Sequence, residues 1–331
     1  MNFCNAREKR HLQILEDCDI MNWWSLFHLI VYPGLIFAAT IGLLLLWFLR
    51  KLIARFQWRI GPPIYQCFAD FFKLLSKETI VPAAANRIVF ILASFVSLSA
   101  ATVAMLLIPI GNSQPFQGFM GDIIVLIYLL SIPSIAVILG GSSSANPFGA
   151  VGASREMVLM IAYEIGLILS VLTLAIDAGS LMVGNIVKYQ VSNQIYLIRY
   201  PFAAVAFFIS IQAKLGITPF DIPDAKTELM AGPYTEYSGR LLALFKLAHA
   251  ILFFGLMSLM ISLFFPGPFT GVYIIDVLIH LVKCSIIVIP ISVIAAVNPR
   301  LRIDRALRFF WLFVFILAAV DFARALLSVV K

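Results

Sequence analysis

Four carboxylates crowd one segment of the chain that is rich in proline and aromatic residues. They are Asp221, Asp224, Glu228 and Glu236. The prolines of this segment exclude one continuous helix, so the sequence predicts an irregular loop. Because the acids alternate with apolar residues, we expect much of the loop to be buried. Carboxylates held together near low dielectric repel one another, which is the property that a proton store or an electrostatic switch requires.

Two further charges fall inside long apolar runs. Glu164 and Lys246 have no oppositely charged residue one helical turn away in their own segments. A charged side chain within a membrane-spanning helix costs at least ~2.5 kcal/mol, so it usually faces a bundle interior or a wet cavity. We therefore interpret Glu164 and Lys246 as members of an ion-coupling path that also includes the four loop acids.

Other polar residues of the apolar runs favour structural interpretations. Asp321 and Arg324 are three residues apart, where they can form an ion pair on one helix face. We interpret them as a structural pair. His249 and His280 are more typical of satisfied packing residues than of ligands.

The cysteines give no sign of a metal centre. They are far apart and lack the CxxC or Cys–His spacing of iron–sulfur and zinc sites; they lie at positions 4, 18, 67 and 284. The sequence therefore predicts no catalytic residue, metal site or cofactor in this chain.

The elements that must position these residues are transmembrane helices. The 331 residues are 62% hydrophobic and only 12% charged, about half the charge of a soluble domain. Apolar runs long enough to cross a bilayer are 27–49, 88–108, 122–139, 157–176, 241–265, 273–297 and 309–330. An eighth run, 195–213, is interrupted by Arg199 and Pro201. The expected fold is an all-α membrane protein of about eight helices.

Basic residues segregate to one side when eight helices are counted. By the positive-inside rule, these loops face the cytoplasm and both termini face away from it. We expect a polar tail at 1–22 and an eight-helix domain at 23–331 that lies in the cell membrane. The cytoplasmic loops of this domain are expected at about 50–87, 140–156, 214–240 and 298–308. Within the first loop, 62–78 has helical apolar spacing and predicts an amphipathic surface helix.

Several motifs resemble one family of membrane proteins. The acidic loop contains PFDIP and GPYTEYSG, and RFQWRIGPP, GASREMVLMIAYE and NPRLRIDRALRFFW occur in the matching order. Together they resemble the complex I subunit 1 family, whose members join the two arms of respiratory complex I. The resemblance implies an eight-helix bundle that anchors soluble redox subunits and links electron transfer to ion movement through the acids named above.

Within that family, SREM at 154–157 is most similar to the membrane-anchor subunits of energy-converting nickel–iron hydrogenases and sulfane reductases. This implies a noncatalytic subunit of a ferredoxin-linked complex that translocates protons or sodium. The implied partners are hydrogenase-like large and small subunits carrying nickel–iron or iron–sulfur centres, antiporter-like membrane subunits and the bilayer, without nucleic acid. We assign docking to the charged loop residues Arg55, Arg59, Asp70, Lys73, Arg155, Glu156, Arg302 and Arg305.

Three alternatives remain open from the sequence. The nearest is the quinone-site subunit of respiratory complex I, which would use the same chain to bind a lipid-soluble quinone. A secondary transporter is disfavoured because the sequence shows no internal repeat. A purely structural anchor would use the intramembrane charges only as ion pairs.

Overall fold

Helices make up nearly all of the regular structure. The computed structural model describes residues 23–112, 114–224 and 228–330, so the predicted tail at 1–22 and Lys226 lie outside the described residues. The helices are α1 Trp23–Ile30, α2 Leu35–Phe56, α3 Gln66–Ser76, α4 Arg87–Leu107, α5 Asp122–Ser143, α6 Pro147–Ala178, α7 Val183–Ser192, α8 Tyr196–Arg199, α9 Pro201–Lys214, α10 Gly239–Phe264, α11 Tyr273–Val297, α12 Ile303–Phe309 and α13 Phe315–Val330. A π-helical turn, Phe310–Val314, joins α12 to α13.

The all-α membrane fold predicted from the sequence is confirmed. Within the described ranges, seven helical segments are long and apolar enough to cross a membrane. The eighth predicted run, 195–213, is divided into α8 and α9, and α9 has only 14 residues. Pro201 is the first residue of α9, because proline cannot donate the backbone hydrogen bond that a continuous helix needs there. At 1.5 Å per residue, α9 is about 21 Å long, shorter than the hydrocarbon core.

Helix ends extend further than the apolar runs indicated. α6 begins at Pro147, so only residues 144–146 separate it from α5, and Arg155 and Glu156 lie on a helix where a loop was expected. Asn146 caps this helix because its side chain accepts a hydrogen bond from the Phe148 N–H at 2.9 Å. The amphipathic segment predicted at 62–78 is the helix α3, which buries Cys67.

The centre of the bundle is α10, whose residues are buried along nearly its whole length. It contacts α2 so closely that a methyl group at Gly42 would lie 2.6 Å from the carbonyl carbon of Ala250. Glycine is needed there because the neighbouring atoms are backbone and cannot rotate away.

Gly42→Ala is therefore expected to destabilise the protein by about 1–3 kcal/mol through overpacking. The control is Gly255→Ala on α10, whose new methyl would meet the flexible Met105 side chain, with Sδ at 3.0 Å. Thermal unfolding of both variants in detergent checks this. Equal stability of the two would contradict the close approach of α2 and α10.

The loops at one end of the bundle are joined by hydrogen bonds. Ile80 N–H donates to Ser238 Oγ at 3.1 Å, Asn86 N–H to the Ser143 carbonyl at 3.1 Å, and Leu301 N–H to the Pro219 carbonyl at 3.0 Å. We name this the loop end; of the described residues, it comprises 57–86, 144–146, 215–224, 228–238 and 298–302. The opposite end comprises the described residues 108–112, 114–121, 179–200 and 265–272.

Candidate coupling site

A cavity of about 450 Å³ opens beneath the loop end. Residues of α2, α3, α4, α5, α6, α9, α10 and the acidic loop form its wall. Its apolar lining is interrupted by acidic and basic side chains, which are Arg50, Asp70, Glu156, Lys214, Asp221, Asp224, Lys246 and His249. The cavity therefore gathers acids and bases from segments that are far apart in the sequence.

Glu164 forms an ion pair with Lys214 across two helices. Lys214 Nζ lies 3.4 Å from Glu164 Oε1, and the side chains of Lys214 and Glu164 are 1% and 20% exposed, respectively. Lys214 Nζ also donates to Ser131 Oγ at 3.4 Å and lies 5.6 Å from the centre of the Tyr163 ring. A buried ammonium requires such a partner because desolvation penalises the isolated charge. Lys214 thus explains how Glu164 is accommodated within the bundle.

Glu156 lies about two helical turns from Glu164 on α6 and lines the cavity. It interacts with the hydroxyl groups of Ser134 and Tyr163 and with the charges of Asp224 and Lys214. The two hydroxyl groups are themselves hydrogen-bonded at 3.0 Å. Hydroxyl groups can reorient, so this arrangement can pass a proton between the level of Glu156 and the level of Glu164.

Three acids of the loop have separate partners, so they do not form the single repelling cluster expected from the sequence. Asp221 pairs with Arg300 at 2.9 Å and Glu228 pairs with Arg155 at 2.9 Å. Glu236 accepts a hydrogen bond from the side-chain amide of Asn146. These contacts tie the loop to other parts of the loop end, whereas Asp224 lies on the cavity wall.

Small residues on α5 and α6 allow the acidic loop to lie directly on the bundle. A side chain at Gly141 or Gly152 would collide with Pro233, whose nearest atoms lie 2.9 Å and 2.7 Å from the added carbon. Tyr237 stacks on Phe90 with ring centres 4.0 Å apart, and its hydroxyl donates to the Phe90 carbonyl at 3.0 Å. The loop therefore has a defined position relative to the cavity.

Two loop tyrosines remain protonated. Burial raises the pKa of Tyr234 well above its ordinary value, and the nearby charges of Asp224 and Glu156 raise it further. Burial also raises the pKa of the Tyr237 hydroxyl. Both phenols are therefore hydrogen-bond donors rather than phenolates at neutral pH.

The predicted docking residues divide into two groups. Five are exposed at or near the loop end and are Arg55, Arg59, Lys73, Arg302 and Arg305. The other three take part in the site: Asp70 and Glu156 line the cavity, and Arg155 holds Glu228. Lys246, which the sequence assigned to the coupling path, lies on the cavity wall formed by α10, as does His249.

Asp321 has a second structural partner besides Arg324. Its buried carboxylate accepts from Arg324 at 2.7 Å and from the Ala203 N–H at 2.9 Å. Ala203 is in the first turn of α9, where backbone N–H groups lack helical acceptors. Asp321 thus caps the short helix from a neighbouring one, which is compatible with its interpretation as structural.

Asp321→Ala is expected to destabilise the protein by about 1–2 kcal/mol because α9 loses its cap. Arg324→Met serves as the control and is expected to cost less than about 1 kcal/mol, since the Arg324 side chain is 51% exposed. Chemical denaturation of the two variants in detergent gives the comparison. A larger effect for Arg324→Met would contradict the capping role.

Several members of the site were not identified from the sequence. Lys214 is the first residue of the predicted loop 214–240, so the sequence placed it outside the bundle; its position at the end of an apolar run with no adjacent acid was the signal of burial. Tyr163 next to Glu164, and serine at 131 and 134 in a predicted helix, gave no distinctive signal. In the described ranges, no group of three His, Cys, Asp or Glu residues is placed to hold a metal ion.

Comparisons with known proteins place this geometry in a family. The NADH dehydrogenase family profile matches residues 29–325. The chain is 34% identical over 303 residues to the H subunit of NADH-quinone oxidoreductase from Bacillus thuringiensis (strain Al Hakam), covering 88% of this chain and 90% of the relative. The same values hold for the protein of that name from Bacillus cereus (strain AH187).

A solved structure of the membrane-bound sulfane sulfur reductase, an archaeal respiratory membrane complex, contains a similar chain. The TM-score is 0.82 at 28% identity, and the match covers 88% of this chain and 96% of that one. The resemblance predicted from the motifs is confirmed. The chain belongs to the NADH dehydrogenase family and is a multi-pass membrane subunit of a complex I-like oxidoreductase complex.

Proposed function

We propose that this chain is the noncatalytic subunit that couples electron transfer in attached soluble subunits to the translocation of protons or sodium. The observation that carries the proposal is the cavity beneath the loop end, where Glu156, Asp224 and the Glu164–Lys214 pair come together. The cavity lies between the acidic loop, which partner subunits can reach, and the interior of the bundle. A change at the loop can therefore alter the charge balance inside.

The energetic requirement is modest. A membrane potential of 100 mV opposes the movement of one charge by about 2.3 kcal/mol. A unit charge appearing ~6 Å from a carboxylate changes its energy by about 3 kcal/mol at an effective dielectric constant of about 20. One new charge near Asp224 is thus sufficient to change the proton occupancy of Glu156 against a typical potential.

In this mechanism the residues have distinct roles. Asp224 and Glu156 receive the change in charge from the loop end, with the hydroxyl groups of Ser134 and Tyr163 as the connection inward. Glu164 takes up the proton, and the ammonium of Lys214 holds the Glu164 side chain in position. Asp221, Glu228 and Glu236 keep the loop in place through their partners, and Lys246 lies on the cavity wall within reach of an incoming ion.

We further propose that the complex is ferredoxin-linked and of the hydrogenase or sulfane-reductase type. In this arrangement the partners are hydrogenase-like large and small subunits and antiporter-like membrane subunits, and the nickel–iron or iron–sulfur centres are in those partners. Support comes from the SREM motif and from the likeness to the chain in the sulfane sulfur reductase. In this proposal the exposed arginines at and near the loop end form the docking surface, and the loop end faces the cytoplasm.

Purification of the tagged chain in mild detergent tests this assignment. Mass spectrometry of the retained proteins, combined with nickel and iron analysis, is expected to find iron–sulfur subunits with a hydrogenase-like large subunit. Nickel in the preparation identifies the hydrogenase type, and iron without nickel identifies the sulfane-reductase type. A chain that purifies alone would contradict the proposal and favour a transporter.

A quinone-binding subunit is the second candidate. It is favoured by the volume and largely apolar lining of the cavity, and by the Bacillus relatives named as NADH-quinone oxidoreductase subunits. Quinone-site inhibitors separate the candidates. Inhibition of turnover in the purified complex would support quinone binding, whereas resistance together with reduction of protons or sulfur compounds would exclude it.

A further inference from the structure

Two large apolar side chains project from the turn that follows α2 at the loop end. Trp58 is 98% exposed, and Ile60 is fully exposed. Exposed apolar residues need no explanation where they stand singly. Here they flank Arg59 and lie close in sequence to Arg55, and both of these arginines are exposed. The turn therefore presents an indole ring, an isoleucine and two guanidinium groups at one place on the surface.

The backbone of this turn ends α2 in a Schellman motif. The Trp58 N–H donates to the Arg55 carbonyl at 3.1 Å, and the Arg59 N–H donates to the Ala54 carbonyl at 2.7 Å. Such a motif places one residue in the left-handed conformation, and that residue is usually glycine. Trp58 occupies the position with a φ of 56°. A bulky side chain is disfavoured there because its Cβ crowds the backbone. Folding alone therefore favours glycine at position 58.

Two contacts fix the direction in which the turn points. The indole N–H of Trp47 on α2 donates to the Pro62 carbonyl at 2.9 Å. Gly61 packs on α2 so closely that an added Cβ would lie 3.1 Å from the Lys51 Cα. Residues 57–62 are thus attached to α2 at both ends, so the side chains between are held in place before a partner binds. Preorganisation of this kind raises affinity because less conformational freedom is lost on binding.

The chemistry of the turn indicates a protein partner. Tryptophan and arginine are enriched among the residues that dominate the binding energy of protein interfaces. A bilayer is fluid and imposes no fixed position on a tryptophan at its surface, so lipid gains nothing from a side chain held on a disfavoured backbone. Arg55 and Arg59 form no ion pair within the described part of the chain, and residues 55–60 include no acid. The complementary surface is an apolar pocket with carboxylates on its rim.

We propose that Trp58 is the anchor by which this chain binds an attached soluble subunit, whose surface offers an apolar pocket rimmed by carboxylates. The indole fills the pocket, Ile60 packs at its mouth, and Arg55 and Arg59 pair with the rim. This inference rests on the proposed docking of soluble subunits at the loop end and names the residue at its centre. It also explains why a bulky residue stands at a position that suits glycine.

The first test compares two substitutions that relieve a left-handed backbone at the loop end. Trp58→Gly removes the anchor, whereas Ala145→Gly, at an exposed position whose φ is also 56°, removes only a methyl group. The amount of soluble subunit retained by the tagged complex on serial dilution gives an apparent dissociation constant. We expect this constant to rise at least about tenfold in Trp58→Gly and to stay at the wild-type value in Ala145→Gly. A wild-type value in Trp58→Gly would overturn the proposal.

The second test identifies the occupant directly by photocrosslinking. With Trp58→p-benzoylphenylalanine in the intact complex, irradiation is expected to join this chain to a soluble iron–sulfur subunit. A cross-link to lipid or to a membrane subunit, or no cross-link, would overturn the proposal. The membrane subunits that copurify with each variant report its folding, and the cross-link decides the matter even where Trp58→Gly does not fold.

The wild-type complex separates this inference from the proposed function. A wild type that retains soluble subunits, together with a contrary result in either test, refutes the role of Trp58 alone. A wild type that retains no soluble subunit refutes the proposed function and this inference with it.

Discussion

Glu164→Gln is expected to destabilise the protein by about 3–5 kcal/mol, the usual cost of breaking a buried ion pair. The substitution leaves the Lys214 ammonium, which is only 1% exposed, without its nearest countercharge. Lys214→Met is expected to cost less, because Glu164 is 20% exposed and retains some hydration. Both changes in stability are measured by denaturing the detergent-purified complex and recording the loss of its assembly.

The double variant distinguishes a broken pair from two independent losses. Replacing both partners by neutral side chains of similar size is often nearly neutral, so the double variant is expected to be more stable than Glu164→Gln alone. Strictly additive effects of the two substitutions would show that Glu164 and Lys214 do not interact in the folded protein.

Gly152→Val is expected to destabilise the protein by about 3 kcal/mol and to displace the acidic loop from the bundle. The new side chain would meet Pro233 with Cδ at 2.7 Å and the backbone nitrogen at 2.8 Å, and neither atom can rotate away. Because the loop carries residues that border the cavity, the same variant is expected to lose coupling. Limited proteolysis of the loop reports its displacement.

Gly184→Val on α7 is the matched control for this prediction. There the nearest atoms all belong to the flexible side chain of Gln114, which can move. The control is expected to be clearly more stable than Gly152→Val. A loop equally resistant to protease in both variants would contradict the close seating of the acidic loop on α6.

The sequence predicted the all-α membrane fold well because the length of an apolar run is a strong signal in membrane proteins. Its weakest prediction was the run 195–213, where Arg199 and Pro201 divide one apolar segment into two helices and shorten the second. Hydropathy alone cannot show that Asp321, far along the chain, caps the shortened helix. That contact depends on tertiary packing.

The candidate site was predicted only in part for the same reason. Glu164 and Asp224 were identified from their residue types and their surroundings in the sequence. Asp224 lines the cavity, and Glu164 forms an ion pair with Lys214, which is also a residue of the cavity wall. Lys214 and Glu156 were assigned elsewhere, because their roles depend on which helices face each other. The assignment of all these residues to ion coupling remains a proposal.

The most direct test of the central proposal is the number of ions translocated per electron by the intact complex in sealed vesicles. Glu156→Gln is compared with Glu78→Gln, an exposed acid of the loop end that does not border the cavity. We predict that electron transfer persists in both, while the ion-to-electron ratio falls at least about tenfold in Glu156→Gln alone. A wild-type ratio in an assembled Glu156→Gln complex would contradict the role of this cavity in coupling.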